Sequence, residues 1–288
     1  MRSFFNRYSL QGKVLVSMSL TLLVALGILS PLFAQVEIDE EDYLYDAEFG
    51  LVINYGFQTL SGDLDAVTLS GDPALSSACG TFQEGSGKGL AFTGTFSYYL
   101  SSRFRTELAV SYANYAGTMR FGCVDPAEIR MPDGSLSQAL TDHIITLDRK
   151  VVQGELGIWF KPLTLPIEVG VGGFVGVNLE DGYTLHEEIV EPINAKFTTG
   201  GQQRVYGTGT MGMSGDKNSV GLTFGLATQL PAGTSFILRP QMRYYFPVSD
   251  PFNGLSFRES SLRLGIQIAR QILLFPPEEA TPLEPGQQ

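Results

Sequence analysis

Hydrophobic and polar residues alternate with a period of two along much of this chain. In RFRTELAVSY, residues 103–112, the alternate positions from Phe104 to Tyr112 are mostly apolar, and the positions between them include Arg105 and Glu107. Such alternation predicts a β-strand with one apolar and one polar face. Which of the two faces lies inside decides between a soluble sheet protein and a membrane barrel.

Eight segments share this pattern, and each is about as long as a tilted membrane-spanning strand of roughly 9 to 11 residues. They cover 48–58, 90–100, 103–112, 152–160, 167–177, 220–230, 236–246 and 261–269. Their connections alternate in length. Short turns lie near Ser101, at KPLTLP and at PAGTS, whereas long loops are expected over 59–87, 117–143, 179–217 and 249–259. This arrangement is typical of outer-membrane barrels with extracellular long loops, and it leaves both termini in the periplasm.

The composition of the polar faces indicates that they line a confined lumen. These faces are rich in Gly, Ala, Ser and Thr, and the interior of an eight-stranded barrel has room only for side chains that fill it. The predicted fold is therefore all-β, an eight-stranded antiparallel up-and-down transmembrane β-barrel. Ten strands are an alternative, because KFTTGGQQRVYG can form a hairpin at Gly200 and Gly201 that either projects or joins the wall. Pro240 inside the seventh segment predicts a bulge or kink.

Charged residues on the inward faces are candidates for a network of salt bridges. Opposite charges in a confined interior are expected to pair, since burying either sign alone is costly. A plug of satisfied ion pairs is the favoured interpretation, and a gated ion path is the alternative. The candidate lumen residues are Glu48, Arg103, Arg105, Glu107, Glu155, Glu168, Arg239, Arg243 and Arg263.

Aromatic residues are expected to form two girdles, one at each membrane interface. Threading the segments up and down puts one group near the periplasmic rim, namely Phe49, Tyr98, Phe104, Phe160 and Phe236. The outer group comprises Tyr55, Phe57, Phe92, Tyr112, Tyr244 and Phe246.

The segments that flank the barrel differ from it in composition. Residues 1–34 combine three basic residues with an uncharged apolar run and predict a signal peptide, with an uncleaved anchor as the alternative. The remaining chain has 16 basic and 30 acidic residues, a net charge of −14 that argues against a nucleic-acid partner. An acidic segment covers 35–46, and a Pro-rich tail over 273–288 is expected to be disordered. The acidic segments suggest simple solvation, or cation-bridged contact with lipopolysaccharide or a basic partner.

Residues with catalytic potential are few. Cys79 and Cys123 fall in the first two long loops and predict a disulfide, with two unpaired thiols as the alternative. His143 and His186 are the only histidines, and we expect neither a metal site nor a cofactor. Asp142 adjoins His143, whereas the Asp and His pair of outer-membrane omptin proteases has a residue between them. The sequence therefore predicts a protein that is not an enzyme.

These features together resemble the small OmpA-type outer-membrane β-barrel proteins over about residues 47–272. The resemblance implies a monomeric, closed barrel of the Gram-negative envelope that contacts outer-membrane lipid and lipopolysaccharide and is inserted by the barrel-assembly machinery. Two departures are Arg270, which interrupts the last apolar face before Phe275, and the Pro-rich tail in place of a peptidoglycan-binding domain. The expected role is envelope integrity or interaction of the surface loops with an unknown partner. A narrow or gated small-solute channel and a soluble lipocalin-like carrier are the alternatives.

Overall fold

A computed structural model describes residues 46–65, 81–122, 127–162, 166–211, 218–249 and 257–273. The predicted signal peptide and nearly all of the acidic segment and the Pro-rich tail lie outside these residues. The strands are β1 (Ala47–Asp65), β2 (Thr81–Tyr99), β3 (Phe104–Gly122), β4 (Ala127–Arg130), β5 (Leu136–Phe160), β6 (Ile167–Glu191), β7 (Lys196–Phe197), β8 (Gln203–Thr210), β9 (Asn218–Thr228), β10 (Leu230–Pro231), β11 (Phe236–Pro247) and β12 (Phe257–Ile272).

Eight of these strands close into a ring. Hydrogen-bonded neighbours run β1, β2, β3, β5, β6, β9, β11 and β12, and β12 pairs again with β1, from Ala47↔Ile272 to Gly62↔Phe257. Every pairing around the ring is antiparallel. The predicted all-β, eight-stranded barrel is confirmed, and each of the eight predicted segments lies within, or extends by a residue or two beyond, one of these strands.

The ring is eight-stranded rather than ten-stranded because the predicted hairpin stays outside it. Gly200 and Gly201 adopt positive φ values of 92° and 98° and turn the chain between β7 and β8. β7 pairs with β4, and β8 pairs with the upper part of β6 above the point where β9 leaves it. We call β4, β7 and β8, the turns from β6 to β7 and from β7 to β8, and the ends of β5 and β6 that these strands pair with, the distal head.

Several strands are much longer than the alternating segments predicted. β1, β2, β3, β5 and β6 continue into the stretches 59–87, 117–143 and 179–217, which were expected to be loops. The prediction was wrong there because the strands carry on beyond the apolar surface. A register shift between Lys150 and Val151 also reverses the inward parity of β6, from even positions such as Asn178 to odd ones such as Asp181.

Pro240 does not produce the expected bulge. β11 pairs with β12 in one unbroken register through Pro240↔Ile266. The interruption instead falls on the other side, where β9 ends at Thr228 and β10 resumes at Leu230 in the same register with β11. A proline has no N–H to donate to the ladder, so the neighbouring strand breaks while β11 stays straight.

The outward faces of the eight strands form an apolar belt. On β1 the belt runs from Phe49 to Phe57, and Leu51 within it is 73% exposed. The predicted periplasmic-side aromatics Phe49, Phe104 and Phe160 and the outer-side aromatics Tyr55 and Phe57 all point outward at the two edges of the belt. A soluble lipocalin-like carrier requires the apolar faces inside, and that alternative is therefore wrong.

Candidate functional site

The lower lumen, beside the short turns, contains an ion-pair layer of four carboxylates and three guanidinium groups. Its members lie at inward positions of β1, β3, β5, β6 and β11, where alternation along each strand aims them at the barrel axis. All of them are buried. The layer consists of Glu48, Arg105, Glu107, Glu155, Glu168, Arg239 and Arg243.

Arg105 is the centre of one half of this layer. Its Nη1 lies 2.8 Å from Glu107 Oε2, and its Nη2 lies 2.8 Å from Glu168 Oε2. Arg239 joins the same group from β11, with Nη1 at 2.6 Å from Glu48 Oε1 and Nε at 3.3 Å from Glu168 Oε2. The carboxylates of β1, β3 and β6 are thus held by guanidinium groups of β3 and β11.

Arg243 connects the layer across the barrel. Its Nη2 lies 2.6 Å from Glu107 Oε1, and its Nη1 lies 3.0 Å from Glu155 Oε1. The Tyr245 hydroxyl donates to the second oxygen of Glu155 at 2.9 Å. Charge-assisted bonds of this kind are stronger than neutral ones, and together they fill the lumen with paired charge.

Trp159 packs beside the layer and explains the glycines on the inward faces. The Arg105 and Arg243 guanidinium groups lie 4.7 Å and 5.0 Å from its ring centre. A Cβ atom at Gly170 would lie 2.6 Å from the indole, and one at Gly225 would lie 2.4 Å from it. Neither position can therefore carry a side chain while the indole keeps its place.

Two of the predicted lumen arginines occupy different surroundings. Arg103 lies in the turn before β3 and is partly exposed, because the strand starts only at Phe104. Arg263 is buried higher in the lumen on β12, where Nη2 donates to Gln153 and the guanidinium stacks 3.8 Å from the ring centre of Tyr245. The predicted disulfide residues Cys79 and Cys123 lie outside the described residues.

An apolar plug fills the lumen above these charges. It consists of buried residues on six strands of the ring and just after β8, namely Leu60, Leu64, Phe82, Met119, Ile145, Leu147, Tyr183, Leu185, Met211 and Phe257. On β5 the inward positions pass from Glu155 through Gln153 and Arg149 to Leu147, so the lumen changes from charged to apolar along one strand. Sequence reasoning missed the plug because most of these residues fell in stretches expected to be loops, and Ile145 and Leu147 fell between a predicted loop and the next predicted strand. The signal was present, since Leu60 and Leu64 keep the inward parity of β1.

The two candidate catalytic neighbours, Asp142 and His143, point in opposite directions. Adjacent residues of a strand face opposite sides, so Asp142 pairs outward with Arg120 at 3.7 Å while His143 turns inward. His143 Nε2 lies 3.6 Å from Glu187 Oε1, and its ring stacks on Tyr206.

Glu187 also accepts hydrogen bonds from Arg204 at 2.6 Å and from Tyr206 at 2.5 Å. Burial alone raises the pKa of Glu187, but contacts from His143, Tyr206 and Arg204 outweigh it and lower the pKa to about 2. The resulting group is an anchored buried carboxylate in the upper barrel.

Among the described residues, no three His, Cys, Asp or Glu side chains come together in a way that could hold a metal ion. The described part of the chain also contains no helix that is both long and apolar enough to span a membrane.

Comparisons with known proteins give structural likenesses only. No protein-family model matches the chain, and no curated protein matches its sequence. Neisserial surface protein A has a similar solved structure, with 13% identity, 78% of this chain and 97% of that chain covered, and a TM-score of 0.32. The attachment invasion locus protein Ail of Yersinia pestis has 10% identity, with 78% and 99% covered and a TM-score of 0.29. The outer membrane protease OmpT of Escherichia coli has 6% identity, with 79% and 97% covered and a TM-score of 0.30. The fold therefore rests on the chain's own strand pairing.

Proposed function

We propose that this chain is an outer-membrane β-barrel with a closed lumen, that it is not an enzyme, and that it acts through the distal head that it presents outside the cell. The observation that carries the proposal is the apolar plug above a buried ion-pair layer. Two successive layers of buried side chains in the lumen support a barrel that is closed to water, because the interior of an eight-stranded barrel is just wide enough for side chains to fill.

Membrane insertion is supported by the apolar belt. Soluble proteins rarely expose contiguous apolar surface of more than a few hundred Å². Here all eight ring strands carry exposed apolar side chains at the same height, including Leu156, Val171, Phe224 and Ile268. A stretch of about nine residues on β1 matches the 9 to 11 residues that a tilted strand needs to cross the hydrocarbon core.

The proposal also assigns the surroundings of the barrel in the outer membrane. The belt contacts outer-membrane lipid, and the polar surface above it contacts lipopolysaccharide. The termini lie in the periplasm, and the barrel-assembly machinery inserts the chain as a monomer. The disulfide between Cys79 and Cys123 remains part of the proposal, since in the sequence Cys79 falls between the outer ends of β1 and β2, and Cys123 follows the outer end of β3.

The distal head is the part suited to a partner. A small buried cluster of Ile129, Ala139, Ile189, Ala195 and Phe197 holds its strands together. Apolar side chains nevertheless remain exposed on its surface, among them Leu136, Leu140, Ile193 and Val205, with Ile193 at 78%. Because these residues lie above the belt, lipid does not cover them, and a protein partner is the occupant that they favour.

A narrow or gated channel is the second candidate. It is favoured by a cavity between the plug and the ion-pair layer, whose wall includes Tyr115, Arg149 and Arg263. A rearrangement of either layer would extend this existing space. The charged layer would then select ions, as rings of charged side chains do in other pores.

Conductance of reconstituted protein separates the two candidates. Insertion is first verified by gel migration with and without boiling in dodecyl sulfate, since folded barrels shift on heating. We expect inserted wild-type protein to give silent planar bilayers. Replacing Phe82 and Leu147 of the plug by Ser provides the matched control for a loosened lumen. Steady wild-type channels at low voltage would overturn the closed-lumen proposal and favour the second candidate.

A further inference from the structure

A cavity of about 30 Å³ lies between the ion-pair layer and the apolar plug. Its wall comes from β3, β5, β6, β9, β11 and β12, and includes Tyr115, Arg149, Ser219, Glu259, Ser261 and Arg263. On the same measure one water molecule needs roughly 10 to 15 Å³. The space therefore holds about two waters, or one small inorganic ion with a water.

The Arg263 side chain faces this cavity with unused donors. Arg263 is 2% exposed. Its Nη2 donates to Gln153, but Nε and Nη1 have no hydrogen-bond partner among the described residues, and neither does Ser261 Oγ on the same strand. Stacking on Tyr245 stabilises the cation but satisfies none of these N–H groups. A buried guanidinium is costly unless its charge and its donors are matched.

The charges of the wall favour an anion. Arg149 forms an ion pair with Glu259, which leaves Arg263 as the excess charge among the wall residues. No carboxylate among the described residues lies within ion-pair distance of Arg263. Glu155 is the next carboxylate below the cavity along β5, and both of its oxygens already accept hydrogen bonds, from Arg243 and Tyr245.

We propose that this cavity binds one small monovalent inorganic anion, such as chloride, through the free N–H groups of Arg263 and the hydroxyl of Ser261. The volume excludes bulky organic anions such as gluconate, and the single excess charge of the wall matches a monovalent ion rather than phosphate or sulfate. The site lies in the folded barrel and does not depend on the proposed role of the distal head.

The test compares chloride with gluconate, a monovalent anion that is too large for the cavity. The folded barrel is unfolded with urea in detergent micelles at a constant ionic strength of about 0.15 M, while chloride replaces gluconate. A ligand that binds only the folded state raises the folding equilibrium constant about tenfold for each tenfold rise in ligand above its Kd. We expect the folding equilibrium constant of the wild type to rise with chloride in this way, and we expect bromide to have the same effect.

Variants connect the effect to the cavity. Arg263→Gln is expected to abolish the chloride dependence, and Ser261→Ala to weaken it while leaving the fold intact. Arg120→Gln removes an exposed arginine, and we expect this variant to keep the full chloride dependence of the wild type. Crystals grown in bromide should show an anomalous peak beside Arg263. Equal stability in chloride and gluconate, or a bromide-free cavity occupied by water, would overturn the proposal.

Discussion

On strands such as β1 the lower and upper parts of the barrel use the same inward positions with opposite chemistry. On β1 the inward residues are Glu48 and Asn54 in the lower part and Leu60 and Leu64 in the upper part. The outward residues of the apolar belt end at Phe57 and are followed by polar side chains. Because the fold of the strand does not change at this point, the change in its outward residues reflects a change in the surrounding medium. Below, lipid accepts apolar side chains and the lumen holds the ion-pair layer. Above, water accepts the polar side chains and the apolar plug occupies the lumen, beside a few buried polar groups such as His143 and Glu187.

Substitutions in the ion-pair layer should lower the free energy of unfolding more than substitutions elsewhere in the barrel. Arg239→Met removes the guanidinium shared by Glu48 and Glu168, and it leaves two buried carboxylates with Arg105 as their one remaining cation. We expect a loss of about 3 to 5 kcal/mol in the free energy of unfolding, measured with urea in lipid vesicles. Arg120→Met, which breaks an exposed pair above the belt, should cost no more than about 1 kcal/mol. Similar losses at both sites would show that the lumen is solvated.

The belt is tested by placing a charge on its outward face. Leu156 is 65% exposed near the middle of the belt on β5. Leu156→Lys should cost about 2 to 4 kcal/mol in vesicles, as lysine does at the midplane of other membrane barrels. Asp148→Lys puts the same side chain on the same face of β5 above the belt, and there we expect a change within about 0.5 kcal/mol. If Leu156→Lys is also neutral, that face of β5 does not contact lipid.

The close packing of Trp159 predicts a smaller effect. Gly225→Ala adds a methyl group where the indole already lies, and overpacking of this kind costs about 1 to 3 kcal/mol. Gly154→Ala is the matched control, because a Cβ atom there meets nothing within 4 Å. Urea midpoints of the two variants measure the difference. An equal response would mean that Trp159 can move aside.

Acid should lower the stability of the upper barrel, and we expect this effect to be the smallest of the four. The pKa of Glu187 is lowered from 4.5 to about 2, so its stabilising contribution is complete above the ordinary pKa and is lost as the pH falls from about 4.5 towards 2. Glu187→Gln should therefore lose stability relative to wild type at pH 7, and the gap should narrow below pH 4.5. Urea midpoints of both proteins across this range provide the measurement, and a gap independent of pH would contradict the assignment.

Much of the ring could be predicted because each strand carries its own alternating pattern. The eight strands and their inward parity follow from that pattern in the belt, where apolar and polar faces differ most. Above the belt the contrast reverses, and residues such as Met119 and Leu185 are indistinguishable from loop residues without knowledge of their neighbours. The bulge that changes the parity of β6 hid its inward residues further.

The cavity lay beyond sequence reasoning for a different reason. Its wall joins Tyr115 of β3, Ser219 of β9 and Arg263 of β12. These strands are not neighbours in the ring, so only the combined registers of the strands between them bring the three residues together. Arg263 was correctly assigned to an inward face by parity, but its lack of a carboxylate partner depends on distances across the lumen. Parity gives the direction of a side chain and leaves its height relative to distant strands undetermined.

Trp159 has one more consequence, because it is the only tryptophan of the chain. Its indole lies inside the barrel between two cations, shielded from the surrounding bilayer by the wall. The protein therefore carries a built-in fluorophore that reports on the interior alone. Lipids with brominated chains should quench it only weakly in the native barrel, and stronger quenching during refolding would time the moment at which the ring closes around it.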